Sequence, residues 1–384
     1  MTLRVGIAGL GAPSVQILRG FAGVDGVALA AAADLRQEAR AEFTRTYDLP
    51  AFDSVEAMAR SASVDAVWVA TPSQLHCAHT LAAAEHGKHV ICEKPLALSL
   101  EDCDRMIAAA DRARVQLVLG HSKIFDTPIR AIGRIVAGGS IGAVVQIDSW
   151  LFNDWLQRPR LAAELDSSLG GGVVLRQGPH QVDIVRHIAG GLGRELRATA
   201  GCWDPHFPTE GNYACLLEFE NGAVANFSCN GYGYFDVREL TWGIGVVGRQ
   251  ENDPRSARRR RRTGPLSVDE KYGAAASDSP ARAEGRGTFM PFFGLTIVSC
   301  ERGVIRQSPT GLYLSTEQGC EEIAVEPSLG QAAELIELRD AVAEGRPAFP
   351  DGRWGRATVE VCLAMLRSAR EHRAVPLARQ VARS

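Results

Sequence analysis

The chain has 384 residues, more than one hydrophobic core usually serves, so two domains are expected. Its 46% hydrophobic and 23% charged residues are ordinary for a globular protein, and a net charge of -3 gives no electrostatic reason to expect nucleic acid or an acidic membrane as partner. Nine scattered cysteines form no C-x-x-C pair, no secretory signal precedes Leu3, and no apolar run approaches the ~20 residues that span a bilayer. A soluble protein of the reducing cytoplasm is the expectation.

From residue 1 to about 123, strand-like apolar runs alternate with alanine-rich helical patterns, the mark of parallel βαβ units. Strands are predicted at Arg4–Ala8, Val27–Ala33, Ala66–Ala70, His89–Cys92 and Gln116–Gly120. Helices are predicted around Ser14–Ala22, Gln37–Tyr47, Ser54–Arg60, His76–His86 and Leu100–Arg114.

The first strand runs into Gly9-Leu10-Gly11-Ala12-Pro13-Ser14, a G-x-G-x-x-S form of the dinucleotide fingerprint. Its glycines allow a tight turn and close approach to a pyrophosphate, whose charge then meets a helix N-terminus. Pro13 suits a first helical turn, and Ser14 takes the place of the usual third small residue. A plain glycine turn is the alternative. Asp34 closes the second strand about twenty residues on, where an acid holds ribose hydroxyls and repels a 2'-phosphate, so NAD is favoured. Arg36 could neutralise that phosphate and leaves NADP possible.

Thr71, Pro72, Ser73 and His76 follow the third strand and offer hydroxyls and turn geometry to the same cofactor. The pair His76 and His79 has a helical spacing that a metal could use, but no further ligands accompany it. A helix start with exposed imidazoles is preferred, and no metal is expected. Glu93-Lys94-Pro95 follows the apolar run Val90-Ile91-Cys92, which puts a lysine at the carboxyl end of a buried strand, where open α/β sheets bind ligands. There an ammonium can move a proton to or from a substrate oxygen.

Beyond Lys123 a helix near Thr127–Ala137 gives way to period-two strands at Val144–Trp150, Tyr213–Glu220, Ala223–Asn230 and Thr241–Val247. A mostly antiparallel sheet with helices on one face is expected over residues 124–384. Within it, Gly170-Gly171-Gly172 leads into a segment holding Arg176, His180 and Asp183, whose spacing matches one helical face, interrupted by Pro179. His180 is the candidate catalytic group and Asp183 its orienting or structural partner. His121 and Lys123 at the end of the last predicted strand, and Trp155, Arg158 and Arg160 on a loop, are candidate substrate contacts. Each arginine singly reads as a surface ion pair, but several together suit an anionic substrate. The two polar clusters, one in each domain, imply an interdomain active site.

Residues 248–287, with the run Arg258–Arg262, lack periodicity and read as a solvated insertion or a lid between strands. Helical patterns return at Gln331–Ala343 and Arg356–Ala369. A large antiparallel sheet with an exposed face suggests a homodimer or homotetramer.

Gly9-x-Gly11, Asp34, Thr71-Pro72, Glu93-Lys94-Pro95 and the glycine-led segment to His180 and Asp183 together resemble the Gfo/Idh/MocA oxidoreductase family. The resemblance runs nearly the whole length. It implies an N-terminal Rossmann domain, a nicotinamide cofactor, and a lysine, here Lys94, that works with a downstream histidine, here His180. Many sugar and inositol dehydrogenases of the family carry an aspartate four residues before that histidine, where this chain has Arg176. A narrower similarity, in Gly120–Asp126, Arg176–Asp183, Phe292–Leu295, Ser299–Gly303 and Asp351–Gly355, is to the phthalate 4,5-cis-dihydrodiol dehydrogenase branch. That branch implies oxidation of a carboxylated cis-dihydrodiol to a catechol in aromatic degradation, with Arg176 anchoring carboxylate. The alternatives are a sugar or inositol dehydrogenase and a non-catalytic NAD-binding sensor.

Overall fold

The computed structural model describes residues 2–158, 160–251 and 287–383. The arginine run Arg258–Arg262 and most of the 248–287 segment lie outside the described residues. Two compact units emerge, one of Met1–Ser122 with Leu329–Val359, the other of Lys123–Ser328 with Glu360–Ser384. The chain is thus divided by three crossings and not by the single cut expected near residue 123.

The first unit holds six strands: β1 (Leu3–Ala8), β2 (Val27–Ala33), β3 (Ala51–Phe52), β4 (Ala66–Val69), β5 (His89–Cys92) and β6 (Leu117–Leu119). They lie in the order β3-β2-β1-β4-β5-β6, all parallel. Strands covered on both faces need continuous apolar runs, and β4 is buried at every position. Helices α1 (Ala12–Gly20), α2 (Gln37–Tyr47), α3 (Val55–Arg60), α4 (His76–Glu85) and α5 (Leu100–Ala113) form the crossovers. Ser54 and Ser99 start α3 and α5 by accepting the backbone N–H of Ala57 and Asp102, which otherwise has no intrahelical partner. The order reverses between β1 and β4, the position at which such sheets receive ligands.

Among the described residues the second unit is built on nine strands in the order β14-β13-β12-β11-β7-β10-β9-β8-β15. These are β7 (Val144–Phe152), β8 (Gly193–Gly201), β9 (Asn212–Phe219), β10 (Val224–Asn230), β11 (Leu295–Cys300), β12 (Gly303–Gln307), β13 (Gly311–Thr316), β14 (Gly319–Ala324) and β15 (Val375–Pro376). Every pairing is antiparallel except that of β7 with β10. Alternation puts Ile147, Leu151, Leu217, Phe227, Val298 and Ile305 on the buried face. Helices α6 (Thr127–Ala137), α7 (Gly172–Arg176) and α8 (Gly178–Ala189) belong to this unit, and α7 and α8 pack on the sheet.

The strand expected at Thr241–Val247 is absent. Those residues form turns with one isolated bridge from Ile244 to Gln250, because Trp242, Gly243 and Gly248 adopt positive φ, which no strand accommodates.

Near the end come α9 (Ala332–Glu344) and α10 (Gly352–Glu371). In the first unit, α9 lies beside α1, and Val118 at the sheet edge bridges to Asp351. Asp351 accepts the Trp354 N–H at 2.8 Å and so caps α10, which gives the Asp351–Gly355 motif a structural role.

Candidate functional site

In the first unit the turn after β1 is shaped for close approach. Gly9 has φ +94, and a Cβ there would stand 2.9 Å from the Ala70 carbonyl oxygen. Gly11 caps α1, Pro13 occupies its first turn, and no acidic residue competes there for an anion. Helix α1 starts at Ala12, two residues before the expected Ser14. The Ser14 hydroxyl turns back to donate to the Gly11 carbonyl at 2.7 Å. Asp34 follows β2, accepting the Leu10 N–H at 2.8 Å and the Arg36 N–H at 2.9 Å. Burial pushes its carboxyl up, but the Arg36 guanidinium and these two N–H groups outweigh burial and hold it below the usual carboxylate range.

After β4, Thr71 and Pro72 lead into a short turn over Ser73–Leu75, with Ser73 buried. The expected exposed imidazoles are not found. His76 is 1% exposed, with its two ring nitrogens 2.9 Å from the carbonyl oxygens of Pro95 and Thr71. It therefore ties the loop after β4 to the loop after β5, the one that carries Lys94. His79 lies 2.9 Å from the Thr71 hydroxyl, and burial lowers its pKa. Glu93 is buried, and burial raises its carboxyl pKa, with Lys94 opposing. His121 also belongs to this unit, against Gln331 at 3.2 Å and buried Glu334 at 3.7 Å. Among the described residues no group of three or more His, Cys, Asp or Glu could hold a metal.

In the second unit the helical face expected through Arg176, His180 and Asp183 is split. Arg176 ends α7, and α8 starts at Gly178 with Pro179 in its first turn, where the missing N–H costs nothing. The glycine that opens α7 has a steric reason. Gly172 has φ +79, and a Cβ would fall 2.0 Å from the buried Glu210 carboxylate, which accepts the Val174 N–H at the start of α7. His180 and Asp183 are both buried on α8. Between them Gln181 donates to the Ser149 hydroxyl at 3.0 Å and accepts from the Tyr213 hydroxyl at 2.6 Å. Such satisfied buried bonds are worth about 1 kcal/mol each and fix α8 on β7 and β9.

The His180 ring meets Phe293 edge-on at 4.7 Å. Lys123, also buried, has its ammonium 5.9 Å from the same ring and 3.2 Å from Asp126. Trp155 is buried, and the Arg160 guanidinium lies 4.2 Å from its ring centre. Arg158 pairs with Asp154 at 2.7 Å and Arg160 with Glu164 at 3.7 Å. Burial lowers the Arg160 pKa to about 10; Glu164 opposes, while Arg158 and Arg176 add to the drop. Arg160 thus feels the charge of both Arg158 and Arg176. Phe293, Asp126 and Gln181 entered the sequence reading only within the stretches that carry the narrower resemblance, with no site role of their own, and Glu210 did not enter it.

Residues 3–121 match the family described as oxidoreductases with an NAD-binding Rossmann fold, and residues 129–243 match the Gfo/Idh/MocA C-terminal domain. The 1-carboxy-3-chloro-3,4-dihydroxycyclohexa-1,5-diene dehydrogenase of Comamonas testosteroni is 33% identical over 379 residues, 95% of this chain and 94% of that protein. The chain belongs to the Gfo/Idh/MocA oxidoreductase family. The myo-inositol 2-dehydrogenase of Thermotoga maritima is 31% identical over 230 residues, 58% of this chain and 66% of its own. Among solved structures, a dehydrogenase from Bordetella bronchiseptica RB50 superposes with a TM-score of 0.89 at 37% identity, covering 98% of this chain and all of that one.

The cofactor of this Gfo/Idh/MocA enzyme is NAD, and the first unit fits it. Gly9 and Gly11 let backbone approach a pyrophosphate, the α1 N-terminus offers N–H groups, and the Asp34 carboxylate suits ribose hydroxyls.

Proposed function

We propose that the enzyme oxidises a carboxylated cis-dihydrodiol of the phthalate type to a catechol, with Lys94 and His180 as the catalytic residues. The observation that carries this reading is the arginine cluster of the second unit. Arg158 and Arg176 both act on the charge of Arg160, and Arg176 stands four residues before His180, where many polyol dehydrogenases of the family have an acid. Asp154 pairs with Arg158 and Glu164 with Arg160. Guanidinium groups gathered near one another favour an anionic substrate, and their planar fork matches a carboxylate. The dihydrodiol dehydrogenase of C. testosteroni, similar over nearly the whole chain, supports the same substrate class.

Bound NAD supplies the hydride acceptor. The proton released from the oxidised hydroxyl is assigned to Lys94 and His180. Arg176, with Arg158 or Arg160, binds the carboxylate and thereby orients the reacting carbinol, with Trp155, His121, Lys123 and Asp183 as further substrate-side groups. Tautomerisation of the resulting dienone to an aromatic ring supplies driving force.

The runner-up is a sugar or inositol dehydrogenase, favoured by the likeness to myo-inositol 2-dehydrogenase. NADH formation measured with carboxylated cis-dihydrodiols against a panel of polyols separates the two. Turnover confined to the polyols would refute the dihydrodiol reading. We also propose a homodimer or homotetramer built on the open face of the second sheet, where Trp150, Leu216 and Val304 are exposed. No described helix is long and apolar enough to cross a membrane. A cytoplasmic setting suits nine cysteines that form no disulfide.

A further inference from the structure

A buried carboxylate that the proposed mechanism does not use stands at the head of α7. Glu210 lies two residues before β9 and is 8% exposed. The glycine after it fixes its place: the Gly211 N–H donates to Gly201, the Gly211 carbonyl accepts from Gly231, and a Cβ at Gly211 would strike the Tyr232 ring. Glu210 is thus held by the sheet. Its backbone carbonyl accepts the Val173 N–H at 3.1 Å, and its carboxylate accepts the Val174 N–H at 3.4 Å. The first turn of a helix leaves such N–H groups without an intrahelical partner, and α7 has no acid of its own there. Arg176 is the last residue of that helix.

The same carboxylate reaches the arginine loop. It accepts the Ser167 hydroxyl and, at 3.2 Å, the Thr209 hydroxyl, and the two hydroxyls lie 2.7 Å apart. Ser167 opens a short turn over Ser167–Leu169, after which the Gly171 N–H donates back to the Asp166 carbonyl at 2.8 Å. Gly171 passes so close to this loop that a Cβ would fall 2.6 Å from the Glu164 carbonyl oxygen, and Glu164 is the acid paired with Arg160. One carboxylate therefore joins the helix that ends in Arg176 to the loop that carries Arg158 and Arg160.

We propose, resting on the reading of those arginines as the carboxylate site, that Glu210 is a positioning residue for substrate selection, a clasp that holds the Arg176 helix and the Arg160 loop in one arrangement. A guanidinium fork discriminates only when its geometry is held. Loosening the clasp lowers affinity for the carboxylate and removes no group of the hydride or proton transfer. The role asks for an acceptor towards the Val174 N–H and a partner for two hydroxyls. Glutamine supplies both, because the Ser167 and Thr209 hydroxyls can accept as well as donate.

NADH formation by the whole enzyme, with a carboxylated cis-dihydrodiol and with its decarboxylated analogue, tests this in the parent, Glu210→Ala, Glu210→Gln and the milder Ser167→Ala. Glu210→Ala should raise KM for the carboxylated compound about tenfold, the scale of losing hydrogen bonds to a buried charged group, with its kcat and both constants of the analogue within about twofold of the parent. Glu210→Gln should stay near the parent, and Ser167→Ala should show a rise of about threefold. A second readout needs no substrate. Amide hydrogen exchange over residues 173–176 should quicken about tenfold in Glu210→Ala and not in Glu210→Gln. A parent with no preference for the carboxylated compound refutes the proposed substrate, and exchange then decides the clasp by itself. Unchanged exchange in Glu210→Ala, an equal loss on both substrates, or a Glu210→Gln variant as impaired as Glu210→Ala overturns the proposal.

Discussion

The two units carry their chemistry in different ways. In the first, the cofactor features lie within a few dozen residues, and much of the work is done by backbone: a glycine turn, a helix N-terminus and one carboxylate at a strand end. In the second, the candidate groups come from distant parts of the chain, and side chains hold one another. Phe293 stands against His180, Asp126 against Lys123, and Glu164 against Arg160. A backbone-built site is fixed by sterics and fails when a Cβ intrudes. A site built from side chains is fixed by packing and charge, and it can change its substrate one residue at a time.

Lys94→Ala sharpens the contrast most, since it takes the proposed catalytic ammonium from the first unit and leaves the cofactor turn intact. Single-turnover NADH formation should slow about a thousandfold, the scale of a lost general base, while calorimetry finds NAD affinity unchanged. Gly9→Ala does the reverse. The positive φ and the Ala70 carbonyl oppose any Cβ, so NAD affinity should fall roughly a hundredfold, and an unaltered titration would contradict the steric account. In the second unit, Phe293→Ala removes a ring that stands near both His180 and Lys123. Chemical denaturation should show a loss of about 3 kcal/mol, with turnover reduced more than Phe43→Ala, an equally buried control in α2, reduces it.

The smallest effect concerns Asp34. Its folded pKa lies below its unfolded value, so its contribution to stability is fully present above about pH 4 and is lost as pH falls through the folded value. Unfolding midpoints taken from pH 6 down to pH 2 should fall less steeply in Asp34→Asn than in the parent. Parallel curves would remove the ion pair from the account.

The first unit was the more legible in sequence because each of its devices is local. Apolar runs of strand length followed by Gly9-x-Gly11 or Glu93-Lys94-Pro95 specify both the strand and what stands at its end. Its clearest misreading, His76, came from treating a helix start as solvated when two carbonyl groups bury the ring. The parts of the second unit that were readable obeyed local rules, such as the hairpin at Asn221-Gly222, where Phe219 and Ala223 pair across the turn. Thr241–Val247 alternates as a strand does, yet positive φ values defeat the pattern. Arg176 and His180 have the spacing of one helix, yet Pro179 begins a new one. The contact of Phe293 with His180 spans more than a hundred residues of sequence, and no periodicity reports it.

The central claim, that the arginine cluster selects a carboxylated substrate, is met most directly by one ratio. That ratio is kcat/KM for a carboxylated cis-dihydrodiol over kcat/KM for its decarboxylated analogue, measured in the parent and in Arg176→Ala. The account predicts a ratio well above one in the parent that collapses by about tenfold to a hundredfold in the variant, through KM for the carboxylated compound. A ratio near one in the parent, or an equal loss on both substrates in the variant, would contradict it.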